Sequence, residues 1–258
     1  MKILTIDINS TCNLECAFCY QQNDAELSAE KIMDIVKSNP NFDTVEIGGG
    51  EPFMHRQILD VLLQIAGNGR DVNVSTNAVF IPEGLLGLES RVKDKITLQV
   101  SLPAASSELY EHITKRPFFT KVVKNIERMK KEYNVILTSS IYGDNFDNVP
   151  EILGLSYSLS LPVRVNLVFP VGCGKDVELL SEGKVDNLRG LLLAESLQHK
   201  GMIQSPLIRP NNCYALEQAY GIRKAKKCLA DFGLKKYINP KGEASKCEFL
   251  GGENDNCQ

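Results

Sequence analysis

The stretch from residue 3 to residue 20, ILTIDINSTCNLECAFCY, joins a run of apolar and β-branched residues directly to three cysteines. We predict a strand over residues 3–8, because such a run is typical of a buried strand. Cys12, Cys16 and Cys19 follow this strand with the spacing C-x3-C-x2-C. Thiolate ligands of this kind bind iron–sulfur clusters, zinc or Cu(I). The loop after the first strand is therefore a candidate metal centre.

Short apolar runs alternate with longer amphipathic segments over the next 180 or so residues. Strands are predicted over residues 3–8, 44–48, 72–76, 96–101, 135–141 and 163–169. Helices are predicted over residues 28–38, 57–66, 119–131, 149–159 and 185–198, with Ser28 as the N-cap of the first. This alternation is typical of parallel βαβ units in an α/β protein. Six strands are too few for an eight-unit barrel, which leaves a partial barrel or an open doubly wound sheet. In either fold, ligands bind at the carboxyl ends of the strands.

Composition and charge exclude several classes of protein. The chain has 258 residues, 43% hydrophobic and 24% charged, which suits a globular protein with a sizeable core. Its net charge of −3 lacks the basic excess of a nucleic-acid binder. No apolar run spans a membrane and no signal-peptide pattern begins the chain, so we expect a cytoplasmic protein without membrane or nucleic-acid partners. In that reducing compartment, eight cysteines indicate metal or cluster ligation rather than disulfides.

The three cysteines suit a 4Fe–4S cluster better than zinc. A structural zinc site needs a fourth protein ligand, and the nearest histidine is His55. A cubane cluster held by three cysteines has one iron without a protein ligand, and that iron can bind a substrate. A zinc loop or three unrelated buried thiols is the alternative.

A second motif agrees with the first. The segment GGGEP, residues 48–52, follows the second predicted strand, and together with CNLECAFC it resembles the signature of the radical S-adenosylmethionine (SAM) superfamily. Phe18 stands at the aromatic position of that signature. The resemblance covers about residues 2–170 and implies a partial (βα)6 TIM-like barrel. It also implies a SAM-binding 4Fe–4S cluster on Cys12, Cys16 and Cys19.

The resemblance implies a set of residues that bind SAM, and it loosens along the chain. Ala78 replaces a common glycine after Asn77, and Pro103-Ala104 replaces the usual Asp-Gly after Ser101. Ordinary surface polarity is therefore the alternative for Ser101 and for the two basic residues of the set. The implied positions are Phe18, Gly49, Gly50, Glu51, Pro52, Asn77, Ser101, Lys115 and Arg116.

The chain becomes irregular from about residue 205, and we place a domain boundary at residue 204. Residues 1–204 are expected to form the radical SAM core, and residues 205–258 a small cysteine-rich unit with a hairpin around Lys241-Gly242. This unit resembles the Twitch and SPASM extensions of radical SAM enzymes, which bind auxiliary clusters. The resemblance implies a second 4Fe–4S cluster, with a four-cysteine zinc site as the alternative. Its ligands are expected to be Cys213, Cys228, Cys247 and, as the weakest of the four, Cys257.

The resemblance implies an enzyme that cleaves SAM reductively to a 5′-deoxyadenosyl radical and takes a hydrogen atom from a substrate. The substrate is a peptide of ribosomal origin or a small metabolite, and the product is oxidised, cross-linked, epimerised or rearranged. No peptide-recognition module precedes the first strand, which favours the metabolite unless a separate protein presents the peptide. A reducing partner such as flavodoxin or ferredoxin is expected. A non-catalytic electron carrier is the alternative function, although it would have no use for a SAM site.

Cys173 follows the sixth predicted strand in the run FPVGCGK. Strand ends face the active site in this architecture, so its thiol could donate a hydrogen atom to a substrate radical. A buried cysteine without a catalytic role is the alternative.

Overall fold

Nine strands form one sheet in the part of the chain that the computed structural model describes, namely residues 2–21, 24–208, 219–220 and 234–245. The strands are β1 (Ile3–Asp7), β2 (Thr44–Gly48), β3 (Asp71–Thr76), β4 (Ile96–Ser101), β5 (Asn134–Ile141), β6 (Val163–Leu167), β7 (Ile203–Gln204), β8 (Lys235–Ile238) and β9 (Ala244–Ser245). Their order across the sheet is β7-β6-β5-β4-β3-β2-β1-β8-β9. All pairs are parallel except β8 with β9.

The strand order decides between the two predicted architectures. Strands β1 to β7 follow one another across the sheet without a reversal, and the sheet is not closed. A doubly wound sheet reverses its strand order at a switch point. The doubly wound alternative is therefore wrong, and the predicted α/β fold with an incomplete barrel is confirmed.

The two faces of the sheet differ in polarity. Leu4, Val45 and Val72 are neighbours on one face, and each is fully buried in the core shared with the helices. One residue further along, Thr5 and Glu46 are neighbours on the opposite face, where the Thr5 hydroxyl donates to the Glu46 carboxylate over 3.0 Å. Parallel sheets usually bury apolar residues on both faces. The face that carries Thr5 and Glu46, called the polar face below, is therefore less completely packed than the apolar face.

The helices connect successive strands and cover the apolar face. The predicted N-cap is confirmed, because the Ser28 hydroxyl accepts a hydrogen bond from the Lys31 amide over 3.2 Å. Two short helices were not predicted, and the second of them becomes important at the site. The helices are α1 (Ala29–Ser38), α2 (Ile58–Gly67), α3 (Ser90–Lys93), α4 (Ser107–Thr114), α5 (Phe119–Met129), α6 (Val149–Leu159) and α7 (Glu182–Gln198). Within the described ranges, none of these helices is long and apolar enough to cross a membrane.

The predicted C-terminal hairpin is present as β8 and β9, and it extends the same sheet. β8 pairs with β1 in parallel, from Ile3 opposite Lys235 to Ile6 opposite Ile238. The hairpin is thus a continuation of the barrel wall. Cys213, Cys228, Cys247 and Cys257 lie outside the described residues, so the auxiliary cluster and the boundary at residue 204 stay predictions.

Candidate functional site

The cysteine loop lies at the carboxyl end of β1 and rests on the end of α4. The amide of Glu15 donates to the Thr114 carbonyl over 3.1 Å, and the amide of Ala17 donates to the Ile113 carbonyl over 3.0 Å. The last carbonyls of a helix have no partner within the helix, so the loop amides satisfy them. The unpredicted helix α4 therefore supports the chain between the predicted cluster ligands.

The three thiols are close enough to influence one another. Burial, together with negative charge on Cys19 and Cys12, raises the pKa of Cys16 to about 12. Burial likewise raises the pKa of Cys12, to which the charges of Glu51 and Cys19 add. Three thiolates held together in this way repel one another unless a cationic centre binds them. The donor set therefore fits a metal group that deprotonates all three.

The spacing of these donors differs from that of a zinc site. Four thiolates around one zinc ion lie about 4 Å apart, given Zn–S distances of about 2.3 Å in a tetrahedron. Among the described residues, no three His, Cys, Asp or Glu side chains are placed to hold a single metal ion. A cubane cluster takes each thiolate on a different iron and so needs a wider set. Cys12, Cys16 and Cys19 fit a cluster better than one ion.

Asn77 links the end of β3 to the first cysteine. Its side-chain amide donates to Asn13 Oδ1 over 2.7 Å and lies 3.6 Å from Cys12 Sγ. Its backbone amide donates to Glu51 Oε2 over 2.7 Å. The sequence predicted Asn77 as a SAM-binding residue, and the structure places it beside the cysteine loop. Asn13 was missed, although it directly follows Cys12 in the motif.

The GGGEP segment packs against the chain that enters the cysteine loop. The Gly50 amide donates to the Asn9 carbonyl and the Glu51 amide to the Thr11 carbonyl, each over 2.8 Å. A Cβ on Gly50 would lie 2.4 Å from the carbonyl oxygens of Ser10 and Thr11. The family resemblance implies that these glycines bind SAM, and that role stays a prediction. The structure adds that they allow two backbone segments to pack together.

Glu51 is the buried centre of this packing. It is 1% exposed and accepts hydrogen bonds from the Thr76 hydroxyl over 2.7 Å and the Phe53 amide over 3.0 Å. Burial raises its pKa to about 7, against the effect of these donors. Pro52 is buried at the start of the 3-10 turn Pro52–Met54. The acidic residue of the motif thus joins the ends of β2 and β3 below the cysteine loop.

The other predicted SAM-binding residues lie around the same end of the sheet. Phe18 packs against Tyr142, with the ring centroids 5.7 Å apart. Ser101 is half-buried on the polar face at the end of β4. Arg116 forms an ion pair with Glu15 of the cysteine loop, and Lys115 is exposed with a φ of 60° at the end of α4. Their binding of SAM stays a prediction.

Cys173 lies in the 3-10 turn Gly172–Lys175, which packs on the third cysteine of the loop. Its amide donates to the Cys19 carbonyl over 2.8 Å. A Cβ on Gly172, whose φ is 60°, would lie 2.5 Å from the same carbonyl. The structure therefore brings Cys173 next to the cysteine loop, and its role as a hydrogen donor stays a prediction.

Two charged residues on the polar face were not assigned a role from the sequence. Asp7, 1% exposed, accepts from the hydroxyls of Tyr20 over 3.1 Å and Tyr237 over 2.7 Å. Arg164 donates to Gln99 Oε1 over 3.1 Å and to Gln204 Oε1 over 3.2 Å. Both charges interrupt apolar runs in predicted strands. This interruption is the sequence feature by which Asp7 and Arg164 could have been identified.

Comparisons with known proteins identify a family whose matched region contains the cysteine loop and the GGGEP segment. The family model described as the Radical SAM superfamily matches residues 6–155. A protein of Saccharolobus islandicus called probable GTP 3′,8-cyclase is 29% identical over an alignment of 221 residues, which covers 81% of this chain and 70% of that protein. The GTP 3′,8-cyclase of Alkaliphilus oremlandii is 25% identical over 217 residues, covering 76% of this chain and 66% of its own.

Solved structures show the same fold. SuiB of Streptococcus suis bound to S-adenosylmethionine superposes with a TM-score of 0.80 at 17% identity, over 99% of this chain and 62% of SuiB. The enzyme anSMEcpe with bound AdoMet gives a TM-score of 0.70 at 14% identity, over 96% of this chain and 74% of its own. This chain thus spans about 62% of the length of SuiB, and the likeness concerns the fold.

The family match covers more than half of the chain and includes the cysteine loop, the GGGEP segment and strands β2 to β5. These are the elements that the geometry brings together at one end of the sheet. The chain belongs to the radical SAM superfamily of enzymes.

Proposed function

We propose that this protein binds a 4Fe–4S cluster through Cys12, Cys16 and Cys19 and cleaves SAM to start a radical reaction on a polar substrate. The observation that carries the proposal is the three-thiol loop packed on the GGGEP segment at the carboxyl end of the sheet. A reduced cluster of this kind supplies the electron that splits SAM into methionine and a 5′-deoxyadenosyl radical, which takes a hydrogen atom from the substrate.

The chain's own residues hold the loop in shape. Glu51 and Gly50 bind the backbone that enters the loop, and Ile113 and Thr114 bind the backbone within it. Asn77 directs its side-chain amide towards Cys12 Sγ. Hydrogen bonds of this kind orient metal ligands and adjust the chemical properties of the metal group that those ligands bind. We therefore expect the loop to keep its conformation before the cluster is inserted.

We place SAM at the carboxyl ends of β2 to β4, beside the cysteine loop. This region contains most of the positions that the family resemblance implies, and it opens onto the polar face of the sheet. The proposed SAM-binding residues are Phe18, Gly49, Gly50, Glu51, Pro52, Asn77, Ser101, Lys115 and Arg116.

The polar face is the proposed substrate site, and Arg164 favours a substrate with an anionic group. A guanidinium has five N–H donors, and the hydrogen bonds of Arg164 go to Gln99 and Gln204, two neutral amides. A half-buried charge with neutral partners has donors left for a carboxylate or phosphate. Two of the relatives are called GTP 3′,8-cyclase, and GTP is a small anionic metabolite, which supports this substrate class. We favour that class over a peptide of ribosomal origin.

We also propose an auxiliary 4Fe–4S cluster on Cys213, Cys228, Cys247 and Cys257, in a unit that begins near residue 205. Its support is the predicted hairpin, which the structure contains and which ends at Ser245, two positions before Cys247. In such a unit the cluster would hold the hairpin and the residues around it in place. It could also accept the electron left on a product radical.

The proposal is tested with the full chain, reconstituted with iron and sulfide without oxygen and reduced by dithionite or by flavodoxin or ferredoxin. The expected result is 5′-deoxyadenosine from SAM, in amounts above those of the Cys16→Ala variant. A protein that binds the cluster but never cleaves SAM would be an electron carrier instead.

The substrate class is tested by adding GTP or guanosine, which differ by the triphosphate. An anionic small-molecule substrate is supported if GTP raises 5′-deoxyadenosine formation and guanosine does not. The Arg164→Gln variant should lose this stimulation and keep the SAM cleavage seen without substrate. Equal stimulation by both compounds, or stimulation that survives in Arg164→Gln, would contradict the role of Arg164.

A further inference from the structure

Basic residues are concentrated on and around α5, although the chain as a whole is acidic. Residues 115–131 contain seven basic residues and one acidic residue, whereas the net charge of all 258 residues is −3. A local excess of one sign of charge on a protein surface attracts partners of the opposite sign and speeds their association. The surface around α5 is therefore a candidate for binding an acidic partner.

Three of these basic residues form one exposed stripe along α5. Lys121, Lys124 and Arg128 follow one another at intervals of three and four residues, which bring side chains to the same face of a helix. All three residues are exposed. The side of the helix that is turned towards the core carries the buried residues Val122, Asn125, Ile126 and Met129. We call the stripe of Lys121, Lys124 and Arg128 the basic face of α5.

The charges of the basic face are not neutralised by neighbouring acids. Glu127, the one acidic residue of the segment, forms its ion pair with Lys130 instead. Among the described residues, none of the three cations of the basic face has an ion-pair partner. The ammonium group of Lys121 lies 5.8 Å from the centroid of the Phe118 ring, a contact that leaves its charge in place. The basic face thus presents three positive charges to a partner.

The helix that carries this face packs on the residues that contact Cys12. The buried side chain of Asn125, next to Lys124 in the chain, donates to the Ala78 carbonyl over 2.8 Å. The residue before Ala78 is Asn77, whose side-chain amide lies 3.6 Å from Cys12 Sγ. Two polar contacts and one peptide bond therefore connect α5 with the sulfur of the first predicted cluster ligand.

The basic face borders directly on this contact. Asn125 comes four residues after Lys121 and three before Arg128, and residues at these spacings have Cβ atoms about 5–6 Å apart on a helix. A second contact connects the start of the segment with the cysteine loop, since Arg116 forms an ion pair with Glu15. A protein bound at the basic face would therefore lie close to the cysteine loop.

We propose that the basic face of α5 is the docking surface for the reductant, a small acidic electron-carrier protein. The inference rests on the proposed function, since it requires a cluster on Cys12, Cys16 and Cys19. In each encounter the reduced carrier loses one electron and the oxidised cluster gains it, and no bond forms or breaks. Opposite charges speed such an encounter and orient the two proteins. Docking beside Asn125 brings the carrier to the side of the barrel on which α5 contacts the surroundings of Cys12.

The test uses the reconstituted full chain and, as the probe, a reduced flavodoxin with a strongly negative surface. It compares the wild type with the double variant Lys121→Glu/Lys124→Glu, which reverses two charges of the basic face and changes none of the proposed SAM-binding residues. The flavodoxin concentration that gives half-maximal 5′-deoxyadenosine formation should rise about tenfold, because like charges then oppose the encounter. The rate with dithionite, a small reductant that needs no docking surface, should stay unchanged.

A binding measurement adds a readout that does not depend on SAM cleavage. Titration calorimetry of the same proteins without SAM should show weaker binding of flavodoxin by the α5 variant. Added salt should weaken binding by the wild type more than binding by the variant, because salt screens exposed charges. The matched control is Lys31→Glu/Lys37→Glu, which makes the same change in net charge at two exposed lysines of α1. This control should bind flavodoxin like the wild type.

Unchanged half-saturation and affinity in the α5 variant would overturn the docking surface and leave the proposed cluster in place. Equal losses in the α1 control would overturn it too, since the effect would then come from net charge alone. If an RNA oligonucleotide displaced flavodoxin and bound more tightly through the same two lysines, the face would belong to a nucleic acid instead. A wild type that fails to cleave SAM even with dithionite would overturn the proposed function, and with it the role of this face in electron delivery.

Discussion

The hydroxyl of Tyr237 lies 2.7 Å from Oδ2 of Asp7, although the two residues are 230 positions apart in the chain. Asp7 ends the first strand just before the cysteine loop, and Tyr237 belongs to β8, the strand beside it. Tyr20 of the loop donates to the same carboxylate. One buried acid therefore joins the beginning of the chain, the cysteine loop and the C-terminal hairpin.

Removing the Tyr237 hydroxyl should weaken the whole fold. A buried hydrogen bond of this kind contributes about 1 to 3 kcal/mol, so Tyr237→Phe should lower the free energy of unfolding by that amount. Urea unfolding of the apoprotein measures it. Asp7→Asn keeps an acceptor and should cost less than Asp7→Ala, which leaves both tyrosine hydroxyls without their partner. Equal stability of wild type and Tyr237→Phe would show that the contact contributes nothing.

Removing one cysteine of the loop should abolish SAM cleavage. Cys16→Ala removes one of the three predicted iron ligands, and two thiolates do not hold a cubane cluster well. Iron bound at this site and 5′-deoxyadenosine should both fall to background. Cys173→Ala is the control, because its backbone contact with Cys19 does not need the thiol. Continued 5′-deoxyadenosine production by Cys16→Ala would refute the ligand assignment.

A side chain at Gly50 should damage cluster and SAM binding together. The added Cβ would lie 2.4 Å from the carbonyl oxygens of Ser10 and Thr11. Gly50→Ala must therefore displace these two residues, which lead into the cysteine loop. Iron content and SAM affinity, measured on the same sample, should fall in parallel. Gly154→Ala is the control, since no atom lies within 4 Å of its added Cβ. Loss of SAM binding with full iron content would show that Gly50 contacts SAM directly.

In the apoprotein, the alkylation rate of Cys16 should keep rising to an unusually high pH. Alkylation needs the thiolate, and burial raises the pKa of this thiol to about 12. Below the pKa the thiolate fraction rises tenfold per pH unit, so the alkylation rate should still be rising at pH 10. An ordinary cysteine levels off above its pKa of about 8.5. Mass spectrometry of the peptide containing Cys16 follows the reaction, and a plateau near pH 9 would contradict the burial effect.

The fold was largely predictable because the strands are short and bounded by clear breaks. The strands at Thr44–Gly48 and Ile96–Ser101 agree with the prediction to the residue. The helix α4 was missed because its eight residues lie in a polar, serine-rich segment with few apolar positions. The pairing of β8 with β1 could not be predicted from the sequence, because no local pattern in Lys235–Ile238 indicates which distant strand it pairs with.

A short motif was enough to predict that Cys12, Cys16 and Cys19 lie in one loop at the end of the first strand, and their binding of a cluster stays a prediction. The supporting residues of the site were less visible. The partners of Asn77 become evident only when the strand ends and the cysteine loop meet in space. The packing role of Gly50 was missed for the same reason, since the backbone that it packs against lies some 40 residues earlier in the chain.

The parallel pairing of the first strand with β8 also orders events during synthesis. The ribosome makes Asp7 and the cysteine loop well before Tyr237, which lies 230 positions after Asp7 in the chain. At about 5 to 20 residues per second, the interval between Asp7 and Tyr237 is roughly 10 to 50 s. Throughout this time the first strand has an unpaired edge and Asp7 lacks one of its donors. The native loop environment is therefore complete only after β8 has been made, and a cluster delivered earlier would reach a sheet that still lacks this strand.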